Sequence, residues 1–263
     1  MALNQILISR RLVVRVLGVT AVALVLAYGA VQTATDLTGR DHLWGLVPLF
    51  DLDAERNIPT FFASFLLLLA ASLLLVIAVL EGRRRTPGAR HWAVLACGFA
   101  VMAVDECALL HERLSDPVHR ALGPGSLGIF HYAWVVPAIA LVFLLAVVFM
   151  RFWLRLPTRT RSTVLVAAVL FVGGSIGVEL IGGWRVEMYG TKDPIYRMLV
   201  CVEESLEMAG VIVFLSGLLG YLADVHQEVR LRFGNDGGSL LLPALMALLL
   251  VPSSAAGQAE QAL

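Results

Sequence analysis

Charge is scarce in this sequence. Charged residues make up 15% of the 263 positions, whereas soluble domains usually contain about 25%. Lysine is almost missing, since Lys192 is the one lysine among 20 basic residues. The 20 acidic residues balance these bases, so the chain has no net positive charge to attract nucleic acid. These shortages exclude an ordinary soluble domain and argue against a nucleic-acid partner.

Cysteines and the common catalytic motifs are also sparse. The three cysteines, Cys97, Cys107 and Cys201, lie in apolar segments and form no C-x-x-C, which argues against a disulfide framework. The sequence has no nucleotide-binding glycine motif and no H-E-x-x-H zinc motif. It also lacks the Glu-x-x-His pairs of soluble di-iron bundles. No standard enzyme class is therefore indicated by a motif.

The sequence is rich in long apolar runs instead. Hydrophobic residues make up 59% of the chain, and they are grouped in blocks of about 20, the length that spans a bilayer as a helix. The predicted segments are 12–33, 59–81, 91–114, 130–153, 162–183 and 195–222. This pattern predicts an all-α, polytopic transmembrane bundle of six spans, in contact with the lipid bilayer.

The basic residues predict the orientation of this bundle. Thirteen of them precede the first segment, follow the second, fourth and sixth segments, or lie close to those ends, and seven lie on the opposite side. Because cytoplasmic loops carry the excess of Arg and Lys, both termini are predicted to be cytoplasmic. The first apolar run is longer than a signal-peptide core, which favours a retained helix over a cleaved signal.

Two further regions complete the predicted organisation. Residues 1–223 form the six-helix domain, and 224–263 form a cytoplasmic extension with a short apolar tail at 239–251. Its short length and the interruption by Pro243 favour a surface-lying, re-entrant or poorly ordered tail over a seventh span. The loop at 34–58 contains the run DLDAERN, with Asp51, Asp53 and Glu55 at alternate positions. A solvated loop is favoured over a calcium site, because Arg56 replaces the glycine that a calcium loop needs.

Ionisable residues in the apolar segments mark the candidate site. Each is costly in hydrocarbon, so such residues are expected to face the bundle interior and to serve a function. At 1.5 Å per residue, the acids of the third, fifth and sixth segments fall in one layer of the outer half of the membrane, with two histidines close by. The candidates are Asp105, Glu106, His111, Glu112, His131, Glu179, Glu203, Glu204 and Glu207.

Helical phase groups these acids by face. Asp105 and Glu112 are seven residues apart and would share a face of one continuous helix, and Glu203 and Glu207 are four apart. A face with two acids is not expected to look at lipid. The short run GGSIG at 173–177 is expected to allow close helix packing.

The predicted cluster admits three functions. Mixed Asp, Glu and His donors suit a divalent metal such as Fe, Mn or Zn, which could serve an enzyme acting on a lipid or another small membrane-associated substrate by activating water or oxygen. Alternatively, the same acids could bind and release ions in a proton- or cation-coupled transporter. A third interpretation is an accessory subunit whose acids pair with arginines of a partner.

The strings VDECALLHE and VEESLEMAG, together with GLVPLFDLDAERNIPTFFAS, resemble a set of bacterial multi-pass proteins without an assigned activity. Those proteins have a D-E…H-E helix and a later E-E-x-x-E helix, and the resemblance covers most of residues 40–223. It implies a bacterial inner-membrane protein and points to the same acids, but it implies no reaction.

Overall fold

The computed structural model describes residues 9–39, 45–123 and 127–226, and this part of the chain is helical throughout its regular elements. Within it, six helices are long and apolar enough to cross a membrane. The spans are Arg10–Thr38, Ile58–Arg83, Ala89–Ala108, Val135–Arg155, Thr158–Tyr189 and Pro194–His226. The prediction of an all-helical chain with six candidate spans is therefore confirmed. The predicted tail at 239–251, and all of the extension beyond residue 226, lie outside the described residues.

The elements are numbered in chain order. They are α1 (Arg10–Thr38), α2 (Leu46–Phe50), α3 (Ile58–Arg83), α4 (Ala89–Ala108), α5 (Leu110–Leu122), α6 (Val135–Arg155), α7 (Thr158–Val172), α8 (Glu179–Tyr189) and α9 (Pro194–Tyr221). A π-helical turn, Gly173–Val178, joins α7 to α8 within one span, and a second, Leu222–His226, extends α9.

Local sequence explains where two of the spans begin. Asn57 is the N-cap of α3, and its side chain accepts a hydrogen bond from the Thr60 amide, with Pro59 in the first turn. Asp193 caps α9 in the same way, with the Tyr196 amide as donor and Pro194 next in the chain. Both cases satisfy backbone amides that the first helical turn would leave unpaired, and the start predicted for α3 is confirmed.

The predicted third span is not one helix from 91 to 114. The structure ends α4 at Ala108, places Leu109 in the left-handed region at φ 57°, and starts α5 at Leu110. The expected common face of Asp105 and Glu112 was therefore wrong, because it assumed an unbroken helix. Leu109 is neither glycine nor proline, so no ordinary helix-breaking residue marks this break in the sequence.

Helix α9 is the centre of the bundle. Its buried face includes Met208, Leu215 and Leu218, and the fully buried side chains Leu66, Leu74 and Ile77 of α3 belong to the same core. The α7 backbone approaches α9 at Gly210, where an added Cβ would lie 2.8 Å from the Phe171 amide nitrogen. Small residues permit such close helix contacts in membrane proteins.

The turn Gly173–Val178 confirms the close packing predicted for GGSIG. A Cβ at Gly174 would lie 2.9 Å from the Glu203 carbonyl oxygen, so this position brings the span against α9. The segment is a π-helical turn, which the sequence did not indicate. Such turns are often found at functional sites, and this one directly precedes Glu179.

Candidate functional site: an acidic cluster at the predicted outer end

The break after α4 brings Asp105 and His111 together. The Asp105 carboxylate accepts a hydrogen bond from the His111 amide at 2.8 Å, and its other oxygen lies 3.0 Å from His111 Nδ1. Because α5 begins after the break, the His111 amide in its first turn has no backbone carbonyl to bond. The Asp105 carboxylate therefore replaces the acceptor that an unbroken helix would provide. The pair fixes the His111 ring at the edge of the cluster.

The centre of the cluster joins α8 to α9. The carboxyl groups of Glu179 and Glu203 lie close enough to form a hydrogen bond with each other. The indole N–H of Trp134, just before α6, donates to Glu179 Oε1 at 3.1 Å, and the same ring lies edge-on to His111 with 4.9 Å between centroids. Two carboxyl groups share a hydrogen bond when one of them holds a proton.

Three further acids surround this pair. Glu204 and Glu207 of α9 interact electrostatically with each other, with Glu106 of α4 and with Glu179. All three surrounding acids are partly buried, and no hydrogen bond is found to any of them from another described residue. Their carboxylates are therefore crowded by protein while their oxygens keep unused acceptor capacity.

The loop before α3 lies over the cluster. Asp53 Oδ1 accepts a hydrogen bond from the Tyr196 hydroxyl at 2.6 Å, and the Tyr132 hydroxyl lies 2.9 Å from that of Tyr196. Glu55 is an electrostatic neighbour of Glu106 and Glu204. Asp53 and Glu55 are exposed, as predicted, but they also belong to the rim of the site.

Three residues at the rim of the site lie outside the spans and have raised pKa values. Partial desolvation raises the pKa of Glu55, with opposition from His111 and a further rise from Glu112 and Asp105. Desolvation likewise raises the pKa of Asp51, and it raises the pKa of Tyr132 to about 12. The Tyr132 phenol therefore stays neutral and remains a hydrogen-bond donor at physiological pH.

Two arginines near this end of the bundle are engaged elsewhere. Arg185 forms a two-bond ion pair with Asp193, with its Nε 2.7 Å from Oδ2. Arg197 contacts Asp36 at 3.1 Å. Within the described ranges, the main electrostatic neighbours of the cluster acids are other carboxyl groups and His111. The negative charge of the site is thus not balanced by arginine.

The structure brings most of the sequence candidates together in the cluster. Two of them do not join it closely: Glu112 lies at the margin of the cluster, and His131 lies beyond it. Glu112 is exposed in the first turn of α5 and reaches the cluster through Glu55. His131 lies against α8, where its Nδ1 is 3.6 Å from Glu187 Oε2. In the part of the chain that the structure describes, no group of three or more His, Cys, Asp or Glu side chains is arranged to hold a metal ion.

Sequence reasoning missed the residues that close the site. Asp53 and Glu55 were assigned to a solvated loop, and Trp134 and Tyr196 were not among the candidate site residues. A signal was present for the loop, since its carboxylates directly precede the cap of α3. The pairing of Asp53 with Tyr196 crosses 143 residues of sequence, however, and local patterns contain no information on such contacts.

Together, the fold and the site fit a class of protein: a multi-pass helical membrane protein, with six helices long and apolar enough to cross a bilayer and an acidic cluster near one end of the bundle. The chain belongs to the family described as Domain of unknown function (DUF8692), whose model matches residues 16–222. The matched range contains every candidate site residue. Neither the curated proteins nor the solved structures contain a match to this chain.

Proposed function

We propose that this chain is a bacterial inner-membrane protein with both termini in the cytoplasm. The support is the distribution of its basic residues, 13 on one predicted side against seven on the other. This orientation puts the acidic cluster in the outer half of the membrane. The cluster would then exchange cations with the periplasmic side of the membrane.

The function that the geometry supports best is reversible cation binding, with the proton as the cation in the described arrangement. The observation that carries this proposal is the Glu179–Glu203 carboxyl pair, surrounded by Glu106, Glu204 and Glu207. Five ionised carboxylates in one partly desolvated site would repel each other strongly, so some must be neutralised. A proton shared between two carboxyl groups does this without any added ligand.

A proton- or cation-coupled transporter is the class of protein that would use such a site. A second polar network at the opposite end of α9 favours this interpretation. There, buried Glu81 accepts a hydrogen bond from the Tyr221 hydroxyl and lies 3.0 Å from His226 Nε2. Apolar side chains separate the two ends, including fully buried Leu215 and Leu218. Coupled transport needs ion sites reached from two sides with a barrier between them.

A divalent metal is the second candidate cation, and a metal-dependent enzyme acting on a membrane-associated substrate would be its use. The supporting observation is the mixed donor set of Asp105, His111, Glu106 and Glu55 around the cluster, which suits Fe, Mn or Zn. Binding would require the carboxylates to turn toward a common point and to release their protons.

The two candidates are separated by infrared and metal analysis of the same purified preparations. If the cluster holds protons, the carboxylic acid C=O band will decrease as the pH is raised from 5 to 9. Glu203→Gln will remove part of that change, because it deletes one partner of the carboxyl pair. Exposed Glu112 serves as the control, and Glu112→Gln should leave the band of the buried groups as it is in the wild type.

Elemental analysis of the same preparations tests whether the cluster binds a metal ion. Stoichiometric Fe, Mn or Zn in the wild type, lost in Glu203→Gln and in Asp105→Ala, would replace the proton proposal with the metal proposal. An infrared change that is the same in wild type and Glu203→Gln, without bound metal, would contradict cation binding at this cluster. A co-purifying protein in that case would favour the accessory-subunit interpretation.

A further inference from the structure

Among the described residues, helix α6 makes its closest contacts with the bundle near its two ends. Before its first turn, Ala133 is fully buried and Trp134 contacts Glu179 and His111. Near its last turn, Phe152 is 8% exposed and stacks on the His91 ring with 4.7 Å between centroids. These contacts hold both ends of a helix of 21 residues, which is about 31 Å long.

The middle of α6 is exposed even on the face that looks at the bundle. Spacing by three and four residues from the buried ends defines this face as Val135, Ala138, Val142, Leu145, Phe149 and Phe152. Burial along it falls away from both ends, since Val135 is 0% exposed, Leu145 is 41% exposed and Phe152 is 8% exposed. Between 139 and 148, every residue except Val142 is exposed, and Val142 is partly buried. Within the described residues, the middle of α6 is therefore packed less closely against the bundle than its two ends are. We call the loosely packed space on this side of α6 the gap.

The gap has an apolar body and an acidic end. The residues of α6 between 139 and 148 are all hydrophobic. Trp134 lies just before α6 at the end of the gap nearest the acidic cluster, where its indole donates to Glu179, a neighbour of Glu203. An apolar cavity with a few convergent polar groups is the usual form of a small-molecule site. At this depth in a bilayer, the available apolar ligand is a lipid chain.

We infer that the gap between α6 and the bundle holds the acyl chain of a bilayer lipid whose ammonium-bearing headgroup lies at the acidic cluster. A helix of a second copy, about 10 Å across, does not fit between two elements that touch at both ends. An acyl chain is thin enough to do so and enters sideways from the membrane. Charge complementarity selects the headgroup, because the cluster has carboxylates without arginine partners among the described residues. The headgroup preference, unlike the chain site, rests on the proposed cation binding.

Filling the gap tests the chain site. Leu145→Trp adds volume on the face toward the bundle, whereas Val147→Trp adds the same ring about 200° around the helix, on the face toward the membrane. The full-length protein is released from nanodiscs of equal parts phosphatidylethanolamine and phosphatidylglycerol and weighed by native mass spectrometry. We expect one retained phosphatidylethanolamine on the wild type and on Val147→Trp, and at least a fivefold loss on Leu145→Trp. Val142→Trp is the second filling variant in case Leu145→Trp does not fold.

Each outcome decides part of the proposal. Equal lipid retention by the filling variants and Val147→Trp would overturn the chain site. A dimer mass that is lost only in the filling variants would assign the face to a second copy instead. If Glu203→Gln with Glu207→Gln keeps the lipid but loses the preference for phosphatidylethanolamine, the ammonium assignment is supported, and an unchanged preference overturns it. The infrared band decides the proposed proton binding independently of all these masses.

Discussion

At the scale of single residues, Asp193 combines two roles at the start of α9. One oxygen caps the helix by accepting from the Tyr196 amide at 2.9 Å, and the carboxylate forms two hydrogen bonds with Arg185. The side chains of the pair are 17% and 12% exposed. The hydrogen bonds from Arg185 hold the pKa of Asp193 below its ordinary value of 3.8. Asp193 thus ties α8 to α9, the two helices that carry the central carboxyl pair.

Asp193→Asn separates these roles, because asparagine is an equally good N-cap but has no charge for Arg185. A carboxylate with a lowered pKa in the folded state stabilises the fold above its unfolded pKa, and this contribution is lost as the pH falls through the folded value. We therefore expect the wild type to have the higher unfolding temperature at pH 6. The difference should shrink as the pH falls below 3.8.

Thermal unfolding in detergent, followed by circular dichroism at a series of pH values, measures this difference. Asp193→Ala is the companion variant, and it should be less stable than Asp193→Asn at every pH because it also loses the cap. A difference in unfolding temperature between wild type and Asp193→Asn that stays constant across the acid range would contradict the role of the ion pair.

At the scale of helices, close backbone contacts set the position of the acids. A Cβ at Gly210 would lie 2.8 Å from the Phe171 amide nitrogen and 3.0 Å from the Ala167 carbonyl oxygen. These are backbone atoms, which a rotamer change cannot move. Gly98 of α4 offers a matched position, since nothing lies within 4 Å of its added Cβ.

Gly210→Ala should destabilise the protein by about 1–3 kcal/mol, because α7 must move away from α9. Gly98→Ala should be neutral or stabilising by about 0.5–1 kcal/mol, since alanine is the better helix former and meets no neighbour. Reversible unfolding in mixed micelles gives both free energies. Equal values for the two variants would show that α7 and α9 are not packed as described.

The difference between local and long-range interactions explains how far the sequence could predict this fold. Apolar runs and the caps at Asn57 and Asp193 are local, so six spans and several helix starts were predictable. The break at Leu109 was not, because it depends on the Asp105–His111 pair and not on a helix-breaking residue. Depth along each helix placed most of the acids in one layer. It could not place Asp53, which reaches the site through Tyr196, a residue 143 positions further along the chain.

At the scale of the whole molecule, α9 carries polar groups at both ends and an apolar barrier between them. Glu207 and Tyr221 are 14 residues apart, which corresponds to about 21 Å along the helix. The stacked rings of Phe99 and Phe214, with centroids 4.9 Å apart, occupy the intervening region. An ion held at one end would therefore have to cross an apolar layer to reach the other, so which end faces the cytoplasm determines what the acidic cluster can bind.

The orientation is tested by labelling single cysteines in a variant in which Cys97, Cys107 and Cys201 are replaced by alanine. Lys192→Cys lies in the turn between α8 and α9, near the acidic end, and Arg155→Cys lies at the other end of α6. Because the excess of arginine is expected on the cytoplasmic side, a membrane-impermeant maleimide should label Lys192→Cys in intact cells. It should label Arg155→Cys only after lysis. The opposite result would put the acidic cluster in the cytoplasmic half, where it would exchange cations with the cell interior and where the lipid site would open to the inner leaflet.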